Sequence, residues 1–230
     1  MAFEAKKRFG LSVLNHTVTS NHIHLLVVDG KAADTIPRSL QLIAGRTGQQ
    51  YNQRKQRRGA FWEDRYHAAA VESGEHLIEC LVYIDLNMVR AGVVGHPKQW
   101  SFGGYREIQN PKQRYGIIDY AQLITVLGMK TLGGVQESCK GRVEEALGRE
   151  EQCRQAKWTE SLAVGSEQYV GGIQRELGVR AKRRRVTEEG GSHQLRESET
   201  AYASQDEVEN GLLRSNNTFL WNLTLDSSAP

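Results

Sequence analysis

Two short segments near the N-terminus constrain the possible folds of this chain most strongly. Leu11–Val18 and His22–Val28 are rich in β-branched and aliphatic residues, and only the three polar residues 19–21 separate them. Such residues favour β-strands, and a short polar break between two strands favours a tight turn. The sequence therefore predicts two adjacent strands joined by a tight turn.

The next part of the chain alternates between helical and strand-like patterns. Apolar or small residues recur at helical spacing after Pro37, and the end of this predicted helix is strongly basic. A return strand follows, and then a second helix that Ser73 caps and Gly92 stops. The predicted bounds are 36–57 for the first helix, 61–71 for the strand and 73–91 for the second helix.

The C-terminal half predicts helices and then a polar tail. A loop over 97–105 precedes a short helix over 117–127, and longer helices are expected over 136–155 and 160–177, followed by the basic run Lys182–Arg185. After Val186 the apolar periodicity fades, so residues 187–230 are predicted to be poorly ordered, with one strand possible over Phe219–Leu225. Three parts are thus expected: 1–128, a helical extension over 129–186, and a tail over 187–230.

Composition excludes several classes of protein. Leu25–Val28 is an apolar stretch of strand size, no apolar stretch approaches the roughly 20 residues that cross a bilayer, and mean hydropathy is −0.55. Residues 1–10 lack the apolar segment of a secretory signal, so a cytoplasmic location is expected. Cys80, Cys139 and Cys153 lack the spacing of a zinc site and are expected to be plain thiols.

Charge is unevenly distributed along the chain. Residues 1–130 contain 17 basic and 11 acidic residues, a net charge of +6, whereas residues 131–230 contain 13 and 16, a net charge of −3. An excess of basic residues indicates an anionic partner for the N-terminal half, although ordinary solvated surfaces also carry such an excess.

Two histidines and a helical pair are the candidate chemical groups. His22 and His24 alternate along a strand, so they project from the same face and form half of a metal site. The alternative is two partly exposed strand histidines. Tyr83 and Asn87 stand one helical turn apart and share a helix face. Without the histidines, Tyr83 is better explained as a core residue and Asn87 as a surface residue.

Four motifs together resemble a known family. In chain order they are Asn21–Val27 (NHIHLLV), Phe61–Tyr66 (FWEDRY), Tyr83–Val94 (YIDLNMVRAGVV) and Trp100-Ser101. Their order and spacing over about residues 11–125 resemble the REP-associated tyrosine transposases of the HUH superfamily, which act on single-stranded DNA. The resemblance implies an α+β fold with a ferredoxin-like antiparallel sheet and helices packed on it. It also implies a bacterial, nucleoid-associated protein.

The resemblance assigns a role to each candidate group. It implies that His22, His24 and Asn87 bind Mg²⁺ or Mn²⁺ and that Tyr83 is the nucleophile. Family members cut single-stranded DNA at hairpin or palindromic sites, form a 5′-phosphotyrosine, and release a 3′-hydroxyl that can later rejoin the strands. The basic residues suited to the DNA backbone are Arg46, Arg54, Lys55, Arg57, Arg58 and Arg65. A solvated helix end favoured by the helix dipole is the alternative for this cluster.

Some features depart from the family pattern. Met88 and Ser20 stand where members usually have proline, and neither position is a ligand. Members also carry a strand and a helix before the strand that begins near Leu11. Residues 1–10 are too few for both, so the sheet is expected to lack an edge element. A non-catalytic DNA-binding remnant is therefore the alternative function, and a zinc hydrolase ranks last because it lacks a third ligand and a carboxylate base.

Aromatic residues near the motifs offer a second kind of DNA contact. Trp62, Tyr66 and Trp100 can stack on unpaired bases, as proteins that bind single strands require. Such aromatics more often belong to a hydrophobic core, and this is the interpretation preferred for Trp100.

Overall fold

The computed structural model describes residues 1–30, 32–63, 65–149 and 154–197, and these residues confirm the α+β class. The elements, in chain order, are α1 (Ala2–Phe9), β1 (Ser12–Val18), β2 (Ile23–Val28), α2 (Thr35–Lys55), β3 (Ala70–Val71), α3 (Glu75–Asp85), α4 (Asn87–Arg90), α5 (Gly104–Gln109), α6 (Tyr120–Val126), α7 (Leu132–Leu147), β4 (Ala163–Gly165), α8 (Glu167–Leu177), β5 (Arg184–Glu189) and β6 (Ser192–Glu197). No helix among the described residues has the length and apolar character to cross a membrane.

The described chain divides into two compact units. Unit 1 contains Met1–Tyr66 and Ser73–Arg154, and unit 2 contains His67–Glu72 and the described residues from Gln155 onward. The predicted boundary near residue 128 therefore lies inside unit 1, because α7 packs against α3 and α6.

Unit 1 is built around the predicted hairpin. Strands β1 and β2 pair antiparallel, from Ser12 opposite Val28 to Val18 opposite Ile23, with an irregularity between Val13 and Asn15. Two isolated bridges extend the ladder on the other side of β1, one from Val13 to Ile118 and one from Thr17 to Gly103. Residues 1–10 form helix α1, which packs against α2.

Buried polar groups attach β1 to the end of α3. Asn15 Nδ2 donates to Asp85 Oδ1 at 2.9 Å and to the Leu81 carbonyl oxygen at 3.2 Å, and Thr17 Oγ1 donates to the Ile84 carbonyl oxygen at 3.0 Å. Burial raises the pKa of Asp85 to about 7, and the Asn15 hydrogen bond opposes this rise. Since buried polar groups are costly without partners, these bonds fix the position of α3 on the hairpin.

Gly104 lies where α5 approaches β1 closely. A Cβ at this position would overlap Asn15 Oδ1 and lie 3.0 Å from the His16 backbone nitrogen. We expect Gly104→Ala to lower the free energy of unfolding by about 1–3 kcal/mol, as overpacking of a filled core does. The measurement is urea denaturation followed by circular dichroism.

The control for this substitution is Gly141→Ala. Gly141 lies in α7 with open space where its Cβ would be. Alanine is the better helix former, so this variant should be more stable by up to about 1 kcal/mol. Equal effects of the two substitutions would contradict the proposed close packing at Gly104.

Unit 2 contains a four-stranded mixed sheet in the order β3-β4-β6-β5. Strand β3 pairs parallel with β4, and β6 pairs antiparallel with both β4 and β5. Its core consists of Ala163, Val170, Ala181 and Leu195, so the buried face of α8 packs on the sheet.

The local predictions succeeded best for the first half of the chain. The hairpin and α2 lie within a few residues of their predicted bounds. Of the predicted strand 61–71, only Ala70–Val71 forms a strand. Gly74 instead of Ser73 is the N-cap of α3, and the predicted second helix breaks at Leu86. Gly92 does adopt a positive φ of 67° after α4.

The C-terminal half differs more from the prediction. Helix α5 begins inside the predicted loop 97–105, and β4 occupies the start of the predicted helix 160–177. Residues 184–197 form a hairpin, so the segment predicted to be helical and then poorly ordered contributes two strands. The predicted strand Phe219–Leu225 lies outside the described residues.

Candidate active site

His22 and His24 lie side by side at the start of β2. His22 immediately precedes the strand and His24 is its second residue, as the alternation of the sequence predicts. Their ring centroids are 4.7 Å apart and the two rings are nearly perpendicular. The hairpin therefore brings the two imidazoles together.

The turn before β2 holds the His22 ring through one nitrogen. His22 Nδ1 lies 2.8 Å from Asn21 Oδ1 and 3.0 Å from Thr19 Oγ1. The Asn21 oxygen is an acceptor, so it favours a proton on Nδ1 and leaves the Nε2 lone pair available. Burial lowers the pKa of His22, while a hydrogen bond with the Asn87 side chain raises it.

His24 is buried beside Asn87. The Asn87 side-chain nitrogen lies 2.9 Å from His24 Nε2, and only 4% of His24 is exposed. Burial lowers the pKa of His24 to about 3, and the charges of His22 and Arg90 lower it further. Its Nδ1 atom is buried and has no hydrogen-bond partner within the described residues.

Tyr83 lies against the same histidine from helix α3. Its ring centroid is 6.5 Å from that of His24, with the rings nearly perpendicular, and only 6% of the residue is exposed. Burial raises the pKa of Tyr83, and the nearby Arg90 and Arg154 oppose this rise. Tyr83 and Asn87 lie on the same side of the site, as predicted, although the helix breaks at Leu86. Both residues lie against His24.

Arg90 is a site residue that the sequence reasoning missed. Its guanidinium carbon lies 3.8 Å above the centre of the Tyr83 ring, and Nη2 donates to the Tyr83 carbonyl oxygen at 2.8 Å. Burial lowers the pKa of Arg90, and Tyr83 opposes this shift. The sequence did contain a signal for Arg90. It lies seven residues after Tyr83, and this spacing places both side chains on one face of a helix.

The donor set fits a hard divalent cation. Among the described residues, no group of three or more His, Cys, Asp or Glu side chains is placed to bind a metal. The candidate set instead combines the imidazoles of His22 and His24 with the neutral amide of Asn87. That amide lies within hydrogen-bonding reach of both imidazoles, so an ion at this point would replace those contacts. Rotation of the Asn87 amide by half a turn would bring its oxygen, which is the metal-binding atom, toward the ion.

The structure divides the predicted basic cluster. Arg46 forms an ion pair with Glu4, and Arg57 donates to the Ala60 carbonyl oxygen at 3.0 Å. The remaining members are exposed at the end of α2 or shortly after it: Arg54, Lys55, Arg58 and Arg65. Within the described part of the chain, Arg54 and Arg58 form no ion pair.

The aromatic residues contribute to packing in unit 1. Trp62 Nε1 donates to the Ala44 carbonyl oxygen at 2.9 Å, and its ring contacts Phe61. Trp100 Nε1 donates to the Val18 carbonyl oxygen at 3.0 Å, and its ring contacts Phe102, which is 62% exposed. Phe102 is therefore the more exposed aromatic beside the hairpin, and the sequence reasoning did not consider it.

Other histidines and cysteines lie in structural positions. His96 caps the 3₁₀ turn at Pro97–Gln99 and pairs with Glu144. Cys80 and Cys139 are both buried, and burial raises the pKa of Cys139 to about 12. The Cys139 thiol therefore stays protonated at neutral pH.

The segment that contains the site matches a known protein family. Residues 1–87 match the family model described as "Transposase IS200 like". The matched segment ends at Asn87, so it includes His22, His24 and Tyr83 as well. Searches of curated proteins and of solved structures found no match.

Proposed function

We propose that this chain, whose residues 1–87 belong to the IS200-like transposase family, cuts and rejoins single-stranded DNA through a covalent bond to Tyr83. The family indicates an enzyme that acts on DNA. The single observation that carries the proposal is the convergence of Tyr83, His22, His24 and Asn87 on one point of unit 1. A tyrosine beside two imidazoles and an amide provides both an attacking oxygen and a place for a cation.

In the proposed reaction the Tyr83 hydroxyl attacks the scissile phosphate. Tyr83 Oη loses its proton and bonds to phosphorus, and the bond from phosphorus to the 3′ oxygen breaks in line with the attack. The released 3′ oxygen takes up a proton. The products are a 5′-phosphotyrosine and a free 3′-hydroxyl, so the energy of the phosphodiester bond is conserved for rejoining.

His22, His24 and Asn87 would hold Mg²⁺ or Mn²⁺ next to Tyr83. The bound ion would polarise the phosphate and stabilise its developing charge. Asn21 and Thr19 orient the His22 ring, and partners of this kind fix which nitrogen faces a metal. Burial lowers the pKa of both imidazoles and so favours the neutral form, which is the form that binds metals.

Rejoining uses the same groups in reverse. A 3′-hydroxyl attacks the phosphotyrosine, the bond between Tyr83 and phosphorus breaks, and Tyr83 regains its proton. No other reactant is consumed in this step. A strand is therefore transferred when the 3′-hydroxyl of a different DNA end makes the attack. The preferred substrate is a single strand next to a hairpin or palindrome, as the family resemblance implies.

The test of this function is the formation of the covalent adduct. The full chain is incubated with a labelled hairpin oligonucleotide that carries single-stranded flanks, in the presence of Mn²⁺, and separated on a denaturing gel. We expect a protein band that carries the label and a shorter DNA product that ends in a 3′-hydroxyl. Binding without any adduct would favour the DNA-binding remnant.

The exposed end of α2 should bind the DNA backbone. Replacing Arg54 and Arg58 by glutamine removes two exposed cations without touching the site. We expect weaker binding to all single-stranded sequences, and a salt dependence of log K that is flatter by about 1.4, since each lost phosphate contact contributes about 0.7. Fluorescence anisotropy at several salt concentrations measures both quantities.

The control for this double variant is Arg46→Gln in the same helix. Arg46 already pairs with Glu4, so its loss should change the slope less than the loss of either exposed arginine. An unchanged slope in the double variant would assign Arg54 and Arg58 to the solvated surface.

A further inference from the structure

We propose that Arg90 binds a non-bridging oxygen of the phosphate that Tyr83 attacks while it holds the Tyr83 ring in place. This inference rests on the proposed function of Tyr83 and adds a substrate-binding residue to that site. The supporting facts are the contacts of Arg90, its missing charge partner and its position.

Arg90 is fixed at one end by Tyr83 itself. The hydrogen bond from Nη2 to the Tyr83 carbonyl oxygen satisfies the last turn of α3, where carbonyl groups lack helical partners. The guanidinium carbon lies 3.8 Å from the centre of the phenol ring, within the range of a cation–π contact. An arginine has five N–H donors, so most of its donors remain for another partner.

No carboxylate among the described residues pairs with Arg90. The side chain is only partly exposed, and a partly buried cation without an anion pays a desolvation cost. Arg90 differs in this respect from arginines of unit 1 that do pair with a carboxylate, such as Arg142, which pairs with Glu75. A guanidinium left open in this way can donate to a charged phosphate oxygen.

The position of Arg90 matches the place where the phosphate must lie. Its guanidinium carbon lies 3.8 Å from the centre of the Tyr83 ring, and that ring lies 6.5 Å from the His24 ring, so Arg90 is close to the proposed nucleophile and near a proposed metal ligand. In an attack by Tyr83 Oη, the phosphate must be within reach of that oxygen and of the imidazoles. A donor aimed at this point would stabilise the charge that develops in the transition state.

The test compares Arg90→Gln with the wild type on two DNA linkages. One hairpin substrate carries the natural phosphodiester, and the other carries a neutral methylphosphonate, which lacks one charged oxygen, at the scissile position. On the phosphodiester, we expect Arg90→Gln to lower the maximal rate of adduct formation by about 100-fold or more, with a smaller change in KM. On the methylphosphonate, the two proteins should differ by less than about threefold, because this linkage is neutral and offers Arg90 no charged oxygen.

Two further variants separate binding from folding. Arg90→Lys keeps the charge and should recover part of the rate on the phosphodiester. Arg106→Gln removes an exposed arginine of α5 and should leave both rates unchanged. If Arg90→Gln lowered the rate of adduct formation equally on both linkages, or on neither, the proposed role of Arg90 would be overturned. Absence of any adduct with the wild type would instead overturn the proposed function together with this inference.

A second and independent observation concerns unit 2. We infer that the turn between α8 and β5 binds the phosphate backbone of duplex DNA. The basic turn consists of Arg180, Lys182, Arg183 and Arg185, which are all exposed. Within the described residues none of these four side chains forms an ion pair.

The basic turn is held on a fixed support. Ala181 is buried in the core of unit 2, and Arg184 binds back to the Arg180 carbonyl oxygen at 2.7 Å and to Glu197 at 3.1 Å. Lys182 and Arg183 lie between these two anchors, Arg180 precedes them and Arg185 follows them at the start of β5, and all four side chains are exposed. Glu188 and Glu189 lie at the far end of the hairpin, whereas Glu197 lies beside the turn and pairs with Arg184, which is not one of the four residues of the basic turn.

The chemistry of the basic turn favours a duplex over a single strand. Proteins that bind single strands stack bases on aromatic side chains. In the described part of unit 2, Trp158 is fully buried and Tyr169 packs on the core. Cations without exposed aromatics contact phosphates but do not read or stack bases.

The test neutralises the basic turn in the full chain. The variant Arg180→Gln, Lys182→Gln, Arg183→Gln, Arg185→Gln is compared with one carrying Arg106→Gln, Arg114→Gln, Lys130→Gln and Lys140→Gln, four exposed cations of unit 1. For a blunt duplex we expect the first variant to lose more than tenfold in affinity, and the slope of log K against log salt to fall by about 3 to 4. The control should lose less than about threefold.

Oligothymidine of the same length distinguishes the two kinds of DNA. We expect the basic-turn variant to lose less affinity for oligothymidine than for the duplex. A larger loss for oligothymidine would assign the turn to a single strand. Equal losses for the two variants, or an unchanged duplex slope, would overturn the inference. Neither measurement depends on Tyr83 or on adduct formation.

Discussion

Tyr83→Phe is expected to abolish the covalent adduct while leaving the affinity for a DNA hairpin within about twofold, because only the attacking oxygen is removed. The phenyl ring keeps its contact with His24 and its position under the Arg90 guanidinium. The fold should therefore persist. Denaturing gels measure the adduct, and anisotropy on the same samples measures binding.

The matched control for this variant is Tyr66→Phe. Tyr66 belongs to the second motif and is the next candidate nucleophile. It should form the adduct at the wild-type rate. If the Tyr83 variant retained the adduct and the Tyr66 variant lost it, the nucleophile would be Tyr66.

The second large effect is expected at the proposed metal site. His24→Ala should reduce the rate of adduct formation by at least about 1,000-fold. A bound metal ion would stabilise the charge that develops in the transition state of phosphoryl transfer by several kcal/mol. Hairpin binding should change little, because exposed cations supply most of that affinity. The measurements are rates of adduct formation and binding isotherms with and without Mn²⁺.

His16→Ala is the matched control for His24→Ala. His16 is also a buried histidine of the hairpin, and burial lowers its pKa to about 4, but it lies on β1 and is not one of the proposed metal ligands. The two variants should lose comparable stability. Only His24→Ala should lose the reaction, and a similar loss of rate in both would point to a folding defect.

Removal of the metal should reproduce the effect of His24→Ala. Two imidazoles and one amide carry no negative charge, so the ion should bind weakly, and activity should require millimolar free metal. Mn²⁺ should support the reaction better than Mg²⁺ because nitrogen ligands suit it more. Full cleavage in EDTA would contradict metal assistance.

The sequence predicted the parts of this fold that depend on local patterns. The hairpin follows from β-branched segments around a polar turn, and α2 follows from apolar spacing over 21 residues. The same alternation in β2 predicted that His22 and His24 lie side by side. These features need no information about distant residues, because each depends on neighbours along the chain.

Non-local contacts account for what the sequence did not predict. Strand β4 has only three residues, and it exists because β3 and β6 pair with it from distant parts of the chain. Helix α5 begins at Gly104, where close packing against Asn15 selects a glycine.

The candidate site also depends on contacts that local sequence patterns do not predict. A continuous helix was predicted through Leu86, whereas the structure divides it into α3 and α4. The spacing of Tyr83 and Asn87 still identified them as neighbours. It did not reveal Arg90, because the missing charge partner of that residue is visible only when the side chains around it are placed.

The most direct test of the central claim is to locate the DNA on the protein chain. Trypsin leaves Tyr66 and Tyr83 in one peptide, since no Lys or Arg lies between Tyr66 and Arg90. Cleavage after glutamate separates them, because Glu72, Glu75 and Glu79 lie between the two tyrosines. After nuclease trimming of the adduct, mass spectrometry of these peptides should place the 5′-phosphonucleotide on Tyr83. A nucleotide on Tyr66, or on any residue other than Tyr83, would contradict the mechanism proposed for this chain.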